Sequence, residues 1–448
     1  MIAPGQKKIL ILSYFFPPCN LTAAQRSLGW AKYLKEYGYY PVIITRNWEH
    51  HINGPDDMHH NSGKELIFEE HDGYEVYYVP FKGNLRDRLY SKYGKSKNRL
   101  LRKALSFFEL IGHNYSNAWI PFSNMYDFAD SYVRTNKDVD TIIVTGNPFE
   151  IFRFGYLLNK KFNIPWIADY RDDWNTSEVN SSRGFADGIL KKLSANTEKR
   201  WIETASCITT ISPYYAKKIS EFTKRPGHVL LNGFFPEDYD AYKNIPLEKE
   251  FTVVYNGMLY PSQEIEVFLD AFKKLVDNHP QHRSRIRLRF PGIKFLKDVA
   301  SRVELYMGGY EDVIELTERI GRGEVLRIQA AAHVLLMVAH GSATGIPSSK
   351  IYEYLGLGKP VLICPSDGDI LEETFSGYNL GFTANRSEDA LKILQDLFQK
   401  YLAGNYETLK ADENYTKRFT RKHQGEVLAG ILDGIISGND LEKIHPDA

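Results

Sequence analysis

The chain has 448 residues, which at about 150 residues per domain indicates two or three domains. Lysine plus arginine and aspartate plus glutamate number 56 each, so the formal net charge is zero. This balance argues against a globally basic nucleic-acid-binding protein and against an acidic solvating chain. Hydrophobic residues make up 43% of the chain and charged residues 25%, as in globular proteins. The three cysteines (Cys19, Cys207 and Cys364) suit neither a disulfide framework nor a zinc site, and they fit a reducing cytoplasm.

Short apolar segments alternate with helical patterns along the whole chain. Several of them are continuous runs of Val, Ile and Leu, typical of parallel strands buried on both faces. Helices between such strands indicate βαβ units and doubly wound sheets. The candidate strands lie at residues 9–14, 41–45, 75–79, 141–145, 165–169, 207–211, 229–231, 251–255, 286–290, 333–338 and 361–364.

Prolines and charges interrupt this alternation near residues 235–250. We therefore predict an α/β protein with two Rossmann-like domains, at residues 1–240 and 241–412. Residues 413–448 have a helical pattern with no strand after it. The apolar run at residues 9–16 is too short to span a membrane and ends in two prolines, so we expect a cytoplasmic protein.

The first predicted strand leads through a loop into a helix. Thr22 and Gln25 have the spacing of a capping box, which predicts a helix that begins at Ala23 and ends before Gly38. The helix N-terminus would then point at any ligand bound at the carboxyl end of the strand. The alternative is an ordinary βα connection in which Thr22 is only a cap. The loop lacks the GxGxxG pattern, so a dinucleotide-dependent dehydrogenase loses its main support.

A second candidate site lies at residues 343–364. Ser348 can cap a helix that runs from about Ser349 to Gly358 and precedes a buried strand. Lys350 falls in the first turn, where the helix dipole disfavours a cation unless an anion such as a diphosphate binds there. Glu353 lies one turn deeper on the same face, where its carboxylate can accept hydrogen bonds from a vicinal diol such as a ribose. The alternative is a surface ion pair between Lys350 and Glu353.

The segment Ser-Lys-x-Tyr-Glu-Tyr-Leu-x-x-Gly-Lys-Pro-Val at residues 349–361 resembles the donor-site helix of family 4 glycosyltransferases, which have the two-domain GT-B fold. Other segments resemble the same family in the same order, and together they cover about residues 7–435. They are Tyr-Phe-Phe-Pro-Pro at 14–18, Asp-Tyr-Arg-Asp-Asp-Trp at 169–174, Leu-Asn-Gly at 231–233 and Tyr-Asn-Gly-Met-Leu-Tyr at 255–260.

The resemblance implies two domains that face each other across a cleft, with the C-terminal helix returning to the first domain. It implies transfer of a sugar, with retention, from a nucleotide-diphosphate sugar to a hydroxyl acceptor. The acceptor would be a lipid-linked glycan intermediate of bacterial surface polysaccharide. No metal, cofactor or nucleic-acid partner is expected, and the resemblance leaves open whether the donor is of the UDP or the GDP type.

The resemblance also implies roles for individual residues. Glu353 would hold the ribose, and Lys350 would bind the diphosphate together with the amides of Ser348 and Ser349. The other donor-binding residues would be Gly257, Gly321, Arg322, His340 and Gly341, with Pro18, Asn20 and Thr22 from the first domain. Asp169 and Arg171 would lie on the acceptor side, and Asp172 and His113 would join Lys350 as catalytic candidates. The residues themselves allow two alternatives, a structural ion-pair cluster at 169–173 and a structural histidine at 113.

Two departures from the family pattern favour a competing hypothesis, a catalytically inactive GT-B scaffold that binds a sugar, a nucleotide or a partner subunit. Gly345 stands where many relatives have a first glutamate. The loop after Gly257 lacks the arginine and lysine that many relatives carry there. The histidines at 50, 51, 59 and 60 flank two aspartates, but they lack the spacing of metal ligands and indicate a solvated loop.

A strongly basic stretch at residues 82–103 contrasts with the neutral chain. It contains nine basic residues and one acid, with leucines and tyrosines interleaved. One interpretation is a solvated loop followed by a helix. The other is an interfacial segment at residues 82–111 that is attracted to anionic lipid, which would place the protein on the inner face of the plasma membrane.

Overall fold

The computed structural model describes residues 5–49, 58–59, 62–94, 97–176, 185–257, 259–295, 297–341, 345 and 348–438. The chain divides into two compact units. Unit 1 comprises Met1–Asn232 together with Arg421–Ala448, and unit 2 comprises Gly233–Thr420. The divisions predicted at residues 240 and 412 lie a few residues away from these limits.

Unit 1 contains an eight-stranded sheet. Its strands are β1 (Lys7–Ser13), β2 (Tyr39–Arg46), β3 (Ile67–His71), β4 (Tyr74–Val79), β5 (Val139–Gly146), β6 (Trp166–Tyr170), β7 (Cys207–Thr210) and β8 (Gly227–Val229). The spatial order is β3-β4-β2-β1-β5-β6-β7-β8, and every pairing is parallel except that of β3 with β4.

Unit 2 contains a six-stranded, wholly parallel sheet. Its strands are β9 (Phe251–Val254), β10 (Ile286–Phe290), β11 (Ile314–Leu316), β12 (Val334–Met337), β13 (Val361–Ile363) and β14 (Gly381–Thr383). They lie in the order β11-β10-β9-β12-β13-β14.

Helices connect the strands in both units. They are α1 (Thr22–Tyr33), α2 (Leu85–Tyr93), α3 (Arg99–Gly112), α4 (Ser123–Thr135), α5 (Phe152–Phe162), α6 (Phe185–Ile202), α7 (Pro213–Thr223), α8 (Glu266–Asn278), α9 (Lys297–Tyr306), α10 (Arg322–Ala331), α11 (Lys350–Leu357), α12 (Ile370–Ser376), α13 (Ser387–Leu402), α14 (Glu413–Lys417) and α15 (Arg421–Ser437). No helix among the described residues is both long enough and apolar enough to span a bilayer.

The central strands explain the continuous apolar runs in the sequence. Leu10 on β1 lies between Val42 on β2 and Ile142 on β5, and all three side chains are fully buried. Strands covered on both faces need no polar alternation, so the pattern predicted two parallel α/β sheets. That prediction is confirmed.

The sequence pattern missed β3, β11 and β14. Every residue of β3 is exposed at the edge of its sheet, and the strand contains two glutamates and a histidine. β11 and β14 have three residues each. Such strands bury too little apolar surface to leave a period-2 signal.

The first helix differs from its prediction at one end. It begins at Thr22 with Leu21 as N-cap, and the structure shows no side-chain hydrogen bond at this cap. The predicted capping box is therefore wrong, because Thr22 already has helical geometry. The helix continues as a 3-10 turn over Leu34–Tyr37 and ends at Gly38, whose φ of 84° favours glycine.

The C-terminal helix α15 belongs to unit 1, as predicted. Its Leu428 and Leu432 are fully buried in a core shared with Trp30 of α1. Gly29 permits close packing here, because a Cβ at that position would lie 2.9 Å from Cδ of Arg421. The Tyr39 hydroxyl also donates to Asp433 Oδ1 at 2.6 Å, so α15 is tied to β2 as well.

Candidate functional site

The predicted donor-binding residues of unit 2 are concentrated at the first turn of α11. The helix begins at Lys350 and ends at Gly358, whose φ is 62°. Ser348 accepts a 3.4 Å hydrogen bond from the Lys350 amide, while Ser349 occupies the N-cap position without a side-chain cap. At the other side, Tyr354 donates to the Leu336 carbonyl of β12 at 3.1 Å and so fixes the rotation of the helix.

Lys350 is held against an aromatic ring. Its Nζ lies 4.2 Å from the centroid of the Tyr255 ring and donates to the Tyr255 hydroxyl at 3.1 Å. Burial lowers the pKa of Lys350 to about 8, and the nearby Glu353 carboxylate opposes this shift. Gly257 has a φ of 97°, and a Cβ there would lie 2.9 Å from Lys350 Cε, so glycine makes room for the lysine.

Glu353 does not pair with Lys350, which decides against a surface ion pair between them. Its Oε1 accepts a hydrogen bond from Gln329 Nε2 on α10 at 2.8 Å. It accepts a second one from Asn256 Nδ2, just after β9, at 3.3 Å. The described residues place no donor on Oε2. Because the side chain is only partly buried, this oxygen can accept a hydrogen bond from a ligand.

Sequence reasoning missed the residues that position this pair. Gln263 is buried, and its Nε2 donates to the Val338 carbonyl at 2.6 Å, while its Oε1 lies 3.5 Å from the Tyr255 hydroxyl. The same Oε1 accepts from the Tyr260 amide at 2.8 Å. Asn256 could have been found, because it stands inside the Tyr-Asn-Gly segment. Gln263 and Gln329 carry no local signal, since their role depends on distant strands.

A cavity of about 370 Å³ adjoins Asn256 and Gly257. Its other walls come from Leu259, which also follows β9, and from the segments that follow β10 and β11. They are Leu259, Pro291, Gly292, Ile293, Phe295, Val299, Arg319, Ile320 and Val325. The cavity therefore lies at the carboxyl ends of three parallel strands, where open α/β sheets bind their ligands.

Gly321 and Arg322 begin α10 beside this cavity. Gly321 is the N-cap, and Arg322 is the first helical residue with an exposed side chain. Tyr239 is a buried phenol whose pKa is raised first by burial and then by Glu353, while the Arg322 charge lowers it. The charges of Arg322 and Glu353 thus both affect the pKa of Tyr239, a residue that the sequence analysis did not identify.

His340 and Gly341 follow β12. His340 Nδ1 lies 3.3 Å from Ser262 Oγ, and its ring lies 5.0 Å from that of Tyr260. Burial and then the Lys350 charge lower the pKa of His340. Gly341 has a φ of 32°, and a Cβ there would lie 3.1 Å from the Ser262 carbonyl. Both residues therefore belong to the same side of unit 2 as Lys350.

Three candidate donor residues lie in unit 1, in the loop after β1 and at the start of α1. Pro18, Asn20 and Thr22 are all exposed. Pro18 also lines a cavity of about 630 Å³, together with Asn47, Trp48, Glu49, Gly63, Lys64, Glu65, Ile67, Glu69 and Tyr78. The loop is thus open to ligands, but the roles of these three residues stay predictions.

Asp169, a predicted acceptor-side residue, is fully buried. Arg26 binds its carboxylate with Nη2 at 2.7 Å and Nε at 3.0 Å. Thr145 and Thr209, its register partners on β5 and β7, each donate to it at 2.8 Å. The Asp169 carboxylate is therefore bound within the protein and is not accessible to an acceptor, and its ionic partner is Arg26 and not a residue of the predicted cluster at 169–173.

Arg171 and Asp172 lie beyond Asp169 and are more accessible. Arg171 Nη2 lies 3.2 Å from Asp172 Oδ2, and its guanidinium packs 5.4 Å from the Phe15 ring. The Asp172 side chain is more than half exposed. Both residues can reach a ligand, and their acceptor-side and catalytic roles stay predictions.

His113 is placed as a structural histidine. It caps the C-terminus of α3, is only 4% exposed and packs edge-on against Trp201 at 5.2 Å. Burial, with the charges of Arg153 and Arg200, lowers its pKa to about 4. A buried neutral imidazole cannot contact an acceptor in this arrangement, so the structure favours the structural alternative.

The histidine-rich loop lies mostly outside the described residues, including positions 50, 51 and 60. His59 is described, and its Nδ1 pairs with Asp87 Oδ1 at 2.9 Å. Within the described ranges, no group of three or more His, Cys, Asp or Glu side chains could hold a metal ion.

Gly345 donates its amide to the Asp369 carboxylate.

Solved structures similar to this chain share its fold over nearly the whole length. Sucrose-phosphate synthase (tll1590) from Thermosynechococcus elongatus is 17% identical, with a TM-score of 0.55, and 97% of this chain and 100% of that chain are covered. A glycosyltransferase from Rickettsia africae ESF-5 is 13% identical, with a TM-score of 0.59 and the same coverage. Anabaena Alr3699/HepE in complex with UDP is 14% identical, with a TM-score of 0.51, and 95% and 100% are covered.

No family model matches the chain, and no curated protein sequence matches it. At identities below a fifth, the structural likeness establishes the fold alone. The two parallel-sheet α/β units and the returning α15 are therefore those of the GT-B fold, as the sequence resemblance implied.

Proposed function

We propose that this protein is a glycosyltransferase that takes a sugar from a nucleotide-diphosphate sugar. The observation that carries this proposal is the first turn of α11, where Lys350 and Glu353 are held apart by separate partners. Lys350 is held on Tyr255, and Glu353 on Gln329 and Asn256. A cation and an acceptor carboxylate on one helical face complement the diphosphate and the ribose of one ligand.

Lys350 would stabilise the charge that develops on the departing diphosphate. Its pKa of about 8 leaves it mostly protonated at neutral pH, and a bound anion would raise that pKa further. The start of α11 adds the partial positive charge of its free amides. Preorganised groups of this kind stabilise a leaving group without reorganisation during the reaction.

The cavity beside Asn256 has room for a nucleobase. Its volume of about 370 Å³ falls within the range of small-molecule sites, and its walls are mostly apolar. UDP and UDP-glucose occupy the structures of the similar Anabaena protein, which supports a nucleotide-sugar donor of the UDP type for the first tests.

The finer features of the reaction follow from the family resemblance. We propose that the enzyme transfers a hexosyl group with retention to a hydroxyl of a lipid-linked glycan during surface-polysaccharide synthesis, at the cytoplasmic face of a membrane. Arg171 and Asp172, which are accessible in unit 1, are the acceptor-side residues that we would test first.

A catalytically inactive scaffold is the second candidate function. Gly345, which replaces a frequent glutamate, uses its amide to bind Asp369. The described residues from Gly257 to Ile265 include no lysine or arginine, so this loop adds no cation to the diphosphate site. A scaffold would bind the nucleotide but would not turn the donor over.

A donor panel separates these functions. Full-length protein is titrated with UDP, GDP and dTDP by calorimetry, and the corresponding sugars are then assayed for hydrolysis and transfer. Binding with turnover supports the transferase, whereas binding without turnover of any donor supports the scaffold. If none of the three nucleotides binds, the transferase and a nucleotide-binding scaffold are both wrong, and only a scaffold that binds a sugar or a partner subunit is left.

The variant Glu353→Gln tests the site itself. We expect it to weaken binding of the nucleotide that the panel identifies by at least tenfold, because a neutral amide accepts the ribose hydroxyls less well than a carboxylate. Glu324→Gln, an exposed residue of α10, is the matched control and should leave the affinity unchanged. Equal affinities for the wild type and Glu353→Gln would contradict the assignment.

A further inference from the structure

Helix α3 has its polar side turned inward and its apolar side turned outward. Leu100, Ala104 and Phe108 follow one another at intervals of four residues, so they share one face of the helix. All three are exposed, Leu100 at 84% and Phe108 at 56%. Surface helices of globular proteins normally bury such a face, whereas the described residues leave this one uncovered.

The inward side of α3 is held by polar contacts with the neighbouring segment. Arg86 Nη1 lies 3.0 Å from Glu109 Oε2 and donates to Ser106 Oγ at 3.3 Å. Asn84 also donates to Glu109 Oε1 at 2.6 Å. These bonds fix the rotation of α3 about its axis, so the outward direction of the apolar face is a built feature.

The outward face extends beyond these three residues. Leu101 and Phe107 are 49% and 41% exposed on either side of it. Just past the end of α3, Tyr115 is 81% and Trp119 46% exposed. A helix of 14 residues is about 21 Å long, so this is a continuous apolar stripe and not a set of scattered side chains.

Within the chain segment that carries this stripe, the exposed charges are all positive. Among the described residues from 82 to 111, the exposed charged side chains are Lys82, Arg88, Lys92, Lys97, Arg99 and Lys103. The two acids of this segment are engaged. Asp87 is 3% exposed and caps α2, and Glu109 is bound by Asn84 and Arg86.

We infer that α3 is an interfacial helix that docks unit 1 on an anionic lipid surface. Its apolar face would enter the boundary between headgroups and acyl chains, while Arg99 and Lys103 bind phosphates. Tyr115 and Trp119 have the amphipathic rings that favour the same depth. A protein partner would have to supply both an apolar groove and a broad negative surface, whereas an anionic bilayer supplies both by its nature. The inference does not depend on the reaction that the protein catalyses.

Vesicle flotation of the full-length protein tests this inference. We expect binding to vesicles made of equal parts of phosphatidylglycerol and phosphatidylcholine, and much weaker binding to phosphatidylcholine alone. Binding should weaken as salt is raised, because exposed charges are screened over a shorter distance. Absence of binding to the anionic vesicles would overturn the inference.

Two pairs of substitutions separate the apolar and the electrostatic contributions. Leu100→Ser with Phe108→Ser should reduce partition into anionic vesicles by roughly 100-fold or more, because two large side chains no longer enter the bilayer. Arg99→Gln with Lys103→Gln should reduce it roughly 30-fold and flatten the salt dependence, since each basic group near the surface contributes about fivefold. All four side chains are exposed, so the fold should persist.

The controls use equally exposed residues of unit 2. Leu305→Ser removes a leucine that is 83% exposed, and Lys392→Gln with Lys400→Gln removes two cations of α13. Neither should change partition by more than about twofold, as expected for surface changes elsewhere. If these controls reduce binding as much as the α3 variants do, membrane binding is not a property of α3 and the inference is wrong.

A fluorescence measurement locates the bound helix. Cys19, Cys207 and Cys364 are all buried, so Phe108→Cys provides an accessible thiol for an environment-sensitive dye. We expect a blue shift on addition of anionic vesicles, and none for a label introduced by Leu305→Cys. If instead the wild type self-associates, and Leu100→Ser with Phe108→Ser abolishes that association without any effect on vesicle binding, the face is a protein interface and the inference is overturned.

Discussion

Unit 1 and unit 2 each contain two charged side chains at a candidate site, and the two sets differ in their surroundings. Arg26 and Asp169 bind each other in the interior, where their side chains are 1% and 0% exposed. Two threonine hydroxyls also donate hydrogen bonds to the carboxylate. Lys350 and Glu353 do not bind each other. Each has its own neutral partners, and each stays partly exposed.

The difference shows how a structural charge can be distinguished from a functional one. A saturated buried pair stabilises the fold and has no bonding capacity left for a ligand. A desolvated cation with no anion bonded to it among the described residues keeps its capacity for one, and burial lowers its pKa. The sequence motif alone gives no such distinction.

Asp169→Ala should have the largest effect. It leaves the buried Arg26 guanidinium without its carboxylate, which costs about 3–5 kcal/mol of folding free energy. Urea unfolding, followed by far-UV circular dichroism, should show a lower midpoint for this variant. Asp172→Ala, which alters an exposed neighbour, should stay within about 0.5 kcal/mol of the wild type. Similar midpoints for the two variants would contradict the structural role of Asp169.

Lys350→Met should weaken ligand binding without lowering stability, which is the opposite of the effect expected for Asp169→Ala. Loss of a charged hydrogen bond of about 2 kcal/mol should weaken UDP binding roughly 30-fold. The unfolding midpoint should not fall, because the variant removes a desolvated cation. Calorimetry with UDP and urea unfolding measure the two effects, and Lys274→Met on the surface of α8 is the control. A lower midpoint with unchanged UDP affinity would make Lys350 a structural residue like Asp169.

The pH dependence of UDP binding should be the next largest effect. The pKa of Lys350 is about 8 in the free protein, and a bound diphosphate would raise it. Affinity should therefore fall about tenfold between pH 7 and pH 9, as the free lysine loses its proton. The free energy of unfolding should change with pH in the opposite direction. Between pH 8 and the ordinary lysine pKa of 10.5, the unfolded state binds more protons at Lys350 than the folded state does. The contribution of Lys350 to the free energy of unfolding therefore rises with pH in this range. Lys350→Met should flatten both profiles, and an unchanged slope in the variant would exclude Lys350 as the titrating group.

Thr209→Val should have the smallest effect, about 1 kcal/mol of folding free energy. It removes one of the donors to Asp169 and leaves Arg26 and Thr145 in place. Thr210→Val is a close control, because the Thr210 hydroxyl is buried and makes no hydrogen bond among the described atoms. Thermal unfolding should separate the two variants. Equal midpoints would mean that Asp169 does not need its second threonine.

The fold was largely predictable from the sequence, because it depends on local patterns. Continuous apolar runs located the central strands of both sheets. Gly358 marked the end of α11, whereas its start was predicted one residue early, because Ser349 and not Ser348 is the N-cap. The missed strand β3 is exposed and polar, so no hydrophobic pattern could reveal it.

The site was predictable only in part. Lys350 and Glu353 stand three residues apart on one helix, so the sequence alone places them on one face. Gln329 and Gln263 reach the site from other elements, and only the packed sheet brings them there. The motif containing Asp169 could not reveal its burial, because that depends on Arg26, more than a hundred positions away along the chain.

The return of α15 to unit 1 makes unit 2 an insertion within unit 1. The chain leaves unit 1 after Asn232 and re-enters it at Arg421, and the two crossing segments are bonded by the Phe234 amide and the Phe419 carbonyl at 3.0 Å. During synthesis, the whole of unit 2 therefore leaves the ribosome before unit 1 can bury Trp30 against its last helix. Unit 2 can fold while the chain is still growing, whereas the core of unit 1 stays incomplete until α15 has been synthesised.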